Sequence, residues 1–194
     1  MGSGRSFTLS ELARELDTPQ HRLIYFCEKG VIAPELQDAH GRGSSRVFSV
    51  RNLLEFSIAL HLRAAMLPLA AVDAVLRVLR TFEEALSQEL PGFSLPESLR
   101  QQDAPELRVI VSDGSEIFFS LATVGGETKL FGGIPLDQVT GDRPGPVKLA
   151  SLKRRDEAGP TNGGNGTGVG GIEGSRFVRL EISITAIGLE LPLG

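Results

Sequence analysis

The order of patterns in residues 7–72 decides the fold: FTLSELARELDTPQHRLIYFCEKGVI (7–32), APELQDAHGRGSSRVFS (33–49) and VRNLLEFSIALHLRAAMLPLAAV (50–72). The first segment predicts two short helices joined by a tight turn, because apolar residues recur at helical spacing around Asp17-Thr18-Pro19. The second predicts a β-hairpin with a Gly/Ser/Arg tip, and the third predicts more helix. This order is typical of a winged helix-turn-helix, a fold that binds duplex DNA.

Capping residues predict where these helices begin and end. Thr8 or Ser10 is expected to cap the first helix, because a hydroxyl oxygen accepts from unpaired N–H groups at a helix start. Pro19 suits the start of the second helix, and Gly30 is expected to end it. Ser49 is expected to cap the third helix.

A fourth helix is predicted from Pro68 to about residue 90. Its apolar residues are three and four positions apart, as in the a/d seam of a coiled coil. Two interpretations fit: packing against its own domain, or pairing with the same helix of a second subunit. Charged residues off the seam favour the second interpretation. We therefore expect a homodimer held by Val72, Val75, Leu79, Phe82 and Leu86.

From residue 106 the apolar period changes to two, which predicts strands. LRVIV (107–111) and IFFSLATV (117–124) predict a hairpin on an Asp-Gly turn, and RFVRLEISITAIGLEL (176–191) predicts two strands broken at Gly188. The expected fold class is α+β. The expected organisation is a winged helix-turn-helix domain (1–67), a dimerisation helix (68–90), a linker (91–105) and a small antiparallel β domain (106–194) with a flexible Gly-rich loop (159–174).

Composition narrows the class of protein. No apolar run is long enough for a membrane span, and the N-terminus does not have the pattern of a signal peptide. A single cysteine among 194 residues fits a reducing compartment, so we expect a cytoplasmic protein without a membrane partner. The formal net charge is −4, and therefore DNA binding must rest on a local basic surface.

Patterns for catalysis or metal binding are missing from the sequence. No nucleophile is paired with a base, and GTGVGG (166–171) lacks the preceding strand and following helix of a dinucleotide site. His21, His40 and His61 lack ligand spacing, and Cys27 is interpreted as a small buried hydrophobic residue. We expect no enzyme activity, no cofactor and no metal site.

Residues 7–90 resemble the DNA-binding domain of the MerR family of bacterial transcription regulators. Sequences of that family begin with (Y/F)T(I/L)xELA and have a recognition helix with the motif LRYYExxGL. Their wing ends in RxYS, and a later helix begins near an (F/L)xL motif. The departures are Ile24 for the arginine before the paired aromatics, Ser45 for the wing tyrosine and Met66 for a glycine. The matching residues are Phe7-Thr8-Leu9, Glu11-Leu12-Ala13, Leu23, Tyr25, Phe26, Glu28, Gly30, Pro34, Arg46, Phe48, Ser49 and Leu67-Pro68-Leu69.

The resemblance implies a dimer that binds double-stranded DNA through its second helix and bends and untwists a promoter. The C-terminal domain is expected to bind a protein or small-molecule effector. An alternative remains open, an architectural or protein-interaction module that does not read DNA specifically, which the near-neutral charge of residues 1–66 and Ile24 favour slightly. The expected DNA contacts are Gln20, His21, Arg22 and Tyr25 on the second helix, Arg42 and Arg46 in the wing, and Arg63 near the end of the third helix.

Overall fold

The computed structural model describes residues 5–37, 46–89, 93–101, 103–112, 116–122, 128–135, 153–154 and 179–191. Helices dominate the first half of the chain, and strands dominate the second half. The described residues therefore have an α+β fold, as predicted. The helices are α1 (Leu9–Glu15), α2 (Gln20–Glu28), α3 (Val50–Ala64), α4 (Leu69–Glu89), α5 (Leu95–Ser98) and α6 (Ile184–Leu189).

The strands form one antiparallel sheet in the order β4-β3-β2-β1-β5. The predicted hairpin is confirmed, since β1 and β2 pair from Ser112 opposite Glu116 to Glu106 opposite Ala122. Its turn, 113–115, lies outside the described residues. The strands are β1 (Glu106–Ser112), β2 (Glu116–Ala122), β3 (Thr128–Pro135), β4 (Lys153–Arg154) and β5 (Arg179–Ser183).

Side-chain caps fix the starts of α1 and α3. Thr8 caps α1: its N–H donates to the Glu11 carboxylate at 2.7 Å, and its hydroxyl accepts from the Glu11 N–H at 3.3 Å. The Thr8 N–H, together with the Thr8 hydroxyl that also donates to the Glu11 carboxylate at 2.8 Å, lowers the pKa of Glu11 below its usual value. Ser49 caps α3 in the same reciprocal way with Asn52. Pro19 occupies the position just before α2. The predicted starts of α1 and α3 are therefore confirmed, whereas α2 begins one residue after Pro19.

The apolar face of α4 packs inside its own chain. Val72, Val75 and Leu79 are buried in the hydrophobic core, and Phe82 is half-buried against it. This corrects our assignment of the three buried side chains to a seam between subunits, because a second chain cannot reach them. The structure agrees instead with the first interpretation, packing within the domain. The side chain of Leu86 lies outside the described part.

The second half of the chain shares this core. The segment predicted as a linker contains α5, and Leu95 and Leu99 are buried. Leu107 from β1 and Ile184 from α6 belong to the same hydrophobic cluster as the residues of α3 and α4. Helix α3 itself contacts both α5 and α6. The described C-terminal elements therefore pack directly on the helical half.

Two strands broken at Gly188 were predicted across residues 176–191. The described part has a strand over Arg179–Ser183, but the prediction is wrong for residues 184–191. β5 ends at Ser183, whose hydroxyl accepts from the Ala186 N–H at 2.9 Å and caps α6. Ile184, Ile187 and Leu191 are buried at helical spacing. The Gly-rich stretch 159–174 lies outside the described residues. Among the helices that the structure describes, none has both the length and the apolarity needed to cross a bilayer.

Candidate nucleic-acid interface

Helix α2 buries one face and exposes the other. Leu23 and Phe26 are buried, and the helix packs against α1. Tyr25 on the opposite face remains 41% exposed, a large fraction for an aromatic side chain. The buried residues therefore fix the helix while its polar face stays accessible. The predicted contact residues on that exposed face are Gln20, His21, Arg22 and Tyr25.

A tight turn between α1 and α2 sets the orientation of α2 relative to α1. Asp17 adopts a left-handed backbone conformation with φ +43°, which short polar side chains tolerate better than most residues. The Thr18 N–H donates back to the Ala13 carbonyl at 2.9 Å. Two short helices joined in this way form the helix-turn-helix that the sequence predicted.

The end of α2 is tied to α3 and α4. Gly30 adopts φ +70° and stops the helix, as predicted. Arg80 of α4 donates from Nη2 to the Val31 carbonyl at 2.9 Å and from Nε to Glu55 Oε1 at 2.6 Å. Arg80 is one of the charged residues that lie off the apolar seam predicted for the fourth helix. No local pattern identifies its partners, because Glu55 and Val31 are 25 and 49 residues away.

The base of the predicted wing is built on a bridge between residues 37 and 47. The Val47 N–H donates to the Gln37 carbonyl at 2.8 Å. The backbones of Phe48 and Phe7 form an antiparallel β-bridge. These contacts bring together Gln37 and Val47, the residues on either side of the predicted wing. Segment 38–45, which includes Arg42, lies outside the described residues, whereas Arg46 is half-buried beside the base.

Polar side chains hold this base against the helices. Asn52 accepts from the Glu35 N–H at 2.9 Å and donates to the Ala33 carbonyl at 3.0 Å. Arg51 reaches Glu35 at 3.4 Å and Glu83 of α4 at 2.7 Å. A line of polar contacts therefore runs from the wing base through α3 to α4.

Arg63 closes the turn between α3 and α4. Its Nη1 donates to the Leu67 carbonyl at 2.6 Å, while the residue as a whole remains exposed. Met66 in that turn has φ +65° and is 86% exposed. Arg63 therefore has a structural role that the sequence prediction did not include.

A groove of about 660 Å³ runs between α2 and the end of α3. It brings together four of the seven residues that the sequence predicted for DNA contact. Gln20 and Arg46 are not part of its lining, and Arg42 lies outside the described residues. Ile24 is half-buried and contributes to the lining. The lining consists of His21, Arg22, Ile24, Tyr25, Phe26 and Glu28 from α2, and Leu60, Arg63, Ala64 and Met66 from α3 and the following turn.

Cations predominate along this surface. The groove lining contains two arginines, Arg22 and Arg63, and one carboxylate, Glu28. Nearby, the Lys29 Nζ lies 5.9 Å from the centre of the Tyr25 ring. Cys27 is half-buried against the core rather than fully buried. Within the described ranges, no three His, Cys, Asp or Glu side chains come together as candidate metal ligands.

Comparison with known proteins identifies the helical half of the chain. Residues 7–79 match the family model of the MerR HTH family of regulatory proteins. The match begins before α1, spans the helix-turn-helix and the hairpin base, and ends inside α4. No curated protein matches the chain. The comparison therefore confirms the resemblance for the N-terminal region.

Proposed function

We propose, from the match of residues 7–79 to the family model of the MerR HTH regulatory proteins, that this chain is a transcription regulator that binds duplex DNA. The observation that carries the proposal is the helix-turn-helix with an exposed polar face on α2, within the matched region. Such a helix enters the major groove, where its first residues reach base edges.

On this proposal α2 supplies the contacts to bases. Arg22 is exposed near the start of α2, and an arginine there forms a bidentate bond with guanine or binds a phosphate. Gln20 and His21 precede it, and Tyr25 lies one helical turn later. Arg63 lies across the groove and is proposed to bind the DNA backbone.

The segment between Gln37 and Val47 is proposed to form a hairpin that acts as a wing. Its ends are fixed by the Gln37–Val47 bridge, and Arg42 and Arg46 supply positive charge for phosphates. The contacts of Asn52 with Ala33 and Glu35 hold the hairpin base to α3. The wing and α2 are therefore anchored to the same helical core.

The proposal includes two finer properties that the family resemblance implies, a homodimer and distortion of promoter DNA. Two copies would bind two half-sites related by a two-fold axis. Val72, Val75 and Leu79 are buried in the single chain, so the dimer interface must use other surfaces.

The C-terminal sheet and α6 are proposed to receive an effector or partner protein. Their packing on α3 supports this role, because a change in the sheet reaches the helical half through direct contact. The Leu95 N–H also donates to Glu83 at 2.8 Å, and Glu83 binds Arg51 next to the wing base. A signal from the C-terminal half therefore has a physical route to the proposed wing.

Selection of bound fragments from the source genome tests the proposal. The purified full chain is incubated with sheared genomic DNA, and the retained fragments are sequenced. We expect enrichment of a short site with inverted half-sites. Recovery that matches the input DNA at low and moderate salt would contradict specific binding and favour the architectural or protein-interaction alternative.

A further inference from the structure

The groove between α2 and the turn after α3 has the dimensions of a small-molecule site. Its volume of about 660 Å³ lies within the usual range for ligand pockets, roughly 300–1,000 Å³. Its walls come from two elements that the core holds in place, since Phe26 of α2 and Leu62 of α3 are buried. The groove is therefore a feature of the folded chain.

The groove exposes apolar side chains to solvent, and covering them with a ligand would be favourable. Met66 is 86% exposed and Tyr25 41% exposed, and both line the groove with Leu60 and Ile24. Met66 also holds a left-handed backbone conformation, which is strained for a residue with a Cβ. Strained backbone and adjoining exposed apolar side chains are both typical of binding sites.

Positive charge lies on both walls of the groove. Arg22 lies on α2 and Arg63 on α3, and the imidazole N–H of His21 is a further hydrogen-bond donor for an anion. The bond from Arg63 Nη1 to the Leu67 carbonyl fixes that guanidinium at the rim. Glu28 supplies an opposing carboxylate. Because the two arginines outweigh one carboxylate, the groove favours an anion.

We propose that this groove binds a small aromatic anion, with a flat apolar body between Tyr25 and Met66 and a carboxylate or sulfonate near Arg22 and Arg63. The proposal goes beyond DNA binding, since it assigns a ligand to the helical half of the chain. Its regulatory consequence rests on the proposed function. The ligand covers Arg22 and Tyr25, so it and DNA exclude each other.

The sequence supplies a built-in probe for this site. Tyr25 is the only tyrosine, and the chain has no tryptophan. Tyrosine emission of the full chain therefore reports on the groove alone. The ligand probe is 1-anilinonaphthalene-8-sulfonate, and its matched control is N-phenyl-1-naphthylamine, which has the same rings without the sulfonate. Each is titrated while Tyr25 emission is recorded.

The expected result is saturable binding of one sulfonate probe per chain, with a change in Tyr25 emission. The uncharged control should bind at least about tenfold more weakly, because it lacks the group that Arg22 recognises. Arg22→Gln should weaken the sulfonate probe by about tenfold and Met66→Ala by about threefold. Arg14→Gln on α1 and Leu36→Ala, which lie outside the groove lining and outside the C-terminal sheet, are matched exposed controls that should bind as wild type.

Three results would overturn the site: binding without a change in Tyr25 emission, equal affinity for the two probes, or equal losses in the groove variants and their controls. Melting curves of each variant establish that it is folded. Once a DNA site is known, addition of that DNA should release the probe, and simultaneous binding would overturn the exclusion. Failure to bind any DNA would contradict the proposed function alone, because the probe titration needs no DNA.

Discussion

Arg80 of α4 and Glu55 of α3 form an ion pair, with Nε and Oε1 2.6 Å apart, directly behind the proposed recognition helix. The same guanidinium donates to the Val31 carbonyl just after α2 ends. Glu55 is only 6% exposed, and its second carboxylate oxygen accepts from Asn52 at 3.0 Å. One arginine therefore links the end of α2 to both long helices of the domain.

Arg80→Ala is expected to lower the free energy of unfolding by about 2–3 kcal/mol, because it leaves a buried carboxylate and the Val31 carbonyl without their partner. Urea denaturation measures the change. The matched control is Arg77→Ala: the two arginine side chains are 28% and 29% exposed, but Arg77 pairs with Asp73 within the same helix. That control should cost no more than about 0.5 kcal/mol. Equal losses would contradict a special role for Arg80.

Leu79→Ala is expected to destabilise the single chain by about 2–5 kcal/mol, because Leu79 is part of the intrachain core. The loss should be the same at all protein concentrations. Thermal melts over a hundredfold range of concentration check this, with the exposed Leu189→Ala as control. A loss that depends on concentration would instead place Leu79 at an interface between chains.

Met66→Gly is expected to raise the free energy of unfolding by about 0.5–1 kcal/mol, because glycine adopts φ +65° without the clash of a Cβ. Met66→Ala keeps the Cβ and should give no such gain, which makes it the matched control. Urea denaturation compares the two. A gain of the same size in both variants would show that the exposed methionine side chain, and not the backbone, is the source of the effect.

Local signals in the sequence were sufficient for most of the elements. Thr8 and Ser49 cap their helices because the acceptor and the N–H groups lie within one turn of each other. The hairpin of β1 and β2 follows from alternation in the sequence on both sides of the Asp-Gly pair at 113–114. In each case the residues that decide the structure are close in sequence.

Long-range packing accounts for what the sequence did not predict. The spacing of Val72, Val75 and Leu79 shows which face of α4 is apolar, but it does not show what covers that face. Segment 184–191 mixes alternating and helical spacing, and the cap from Ser183 together with burial of Ile187 decides for a helix. The Arg80 contacts of the candidate site depend on the tertiary fold and leave no local pattern.

Gly188→Ala is expected to destabilise the chain by about 1–3 kcal/mol, because the added Cβ would lie 2.8 Å from the Leu99 Cβ. The substitution tests whether α6 packs closely on the segment after α5. Leu189→Ala, one residue later at an exposed position, is the control and should change the free energy of unfolding little. A neutral Gly188→Ala would contradict the close approach of these two segments.

DNA affinity measured across a salt series tests the central claim most directly. The account predicts that the full chain binds its selected duplex with a steep salt dependence, and that Arg22→Ala weakens binding. If Arg22 contacts a phosphate, the slope of log affinity against log salt falls by about one unit; if it contacts a base, discrimination at one position of the site is lost. Arg108→Ala, an exposed arginine on β1, should bind like the wild type. Binding that is indifferent to Arg22→Ala in affinity, salt slope and sequence preference would contradict the assignment of α2 as the DNA-reading helix.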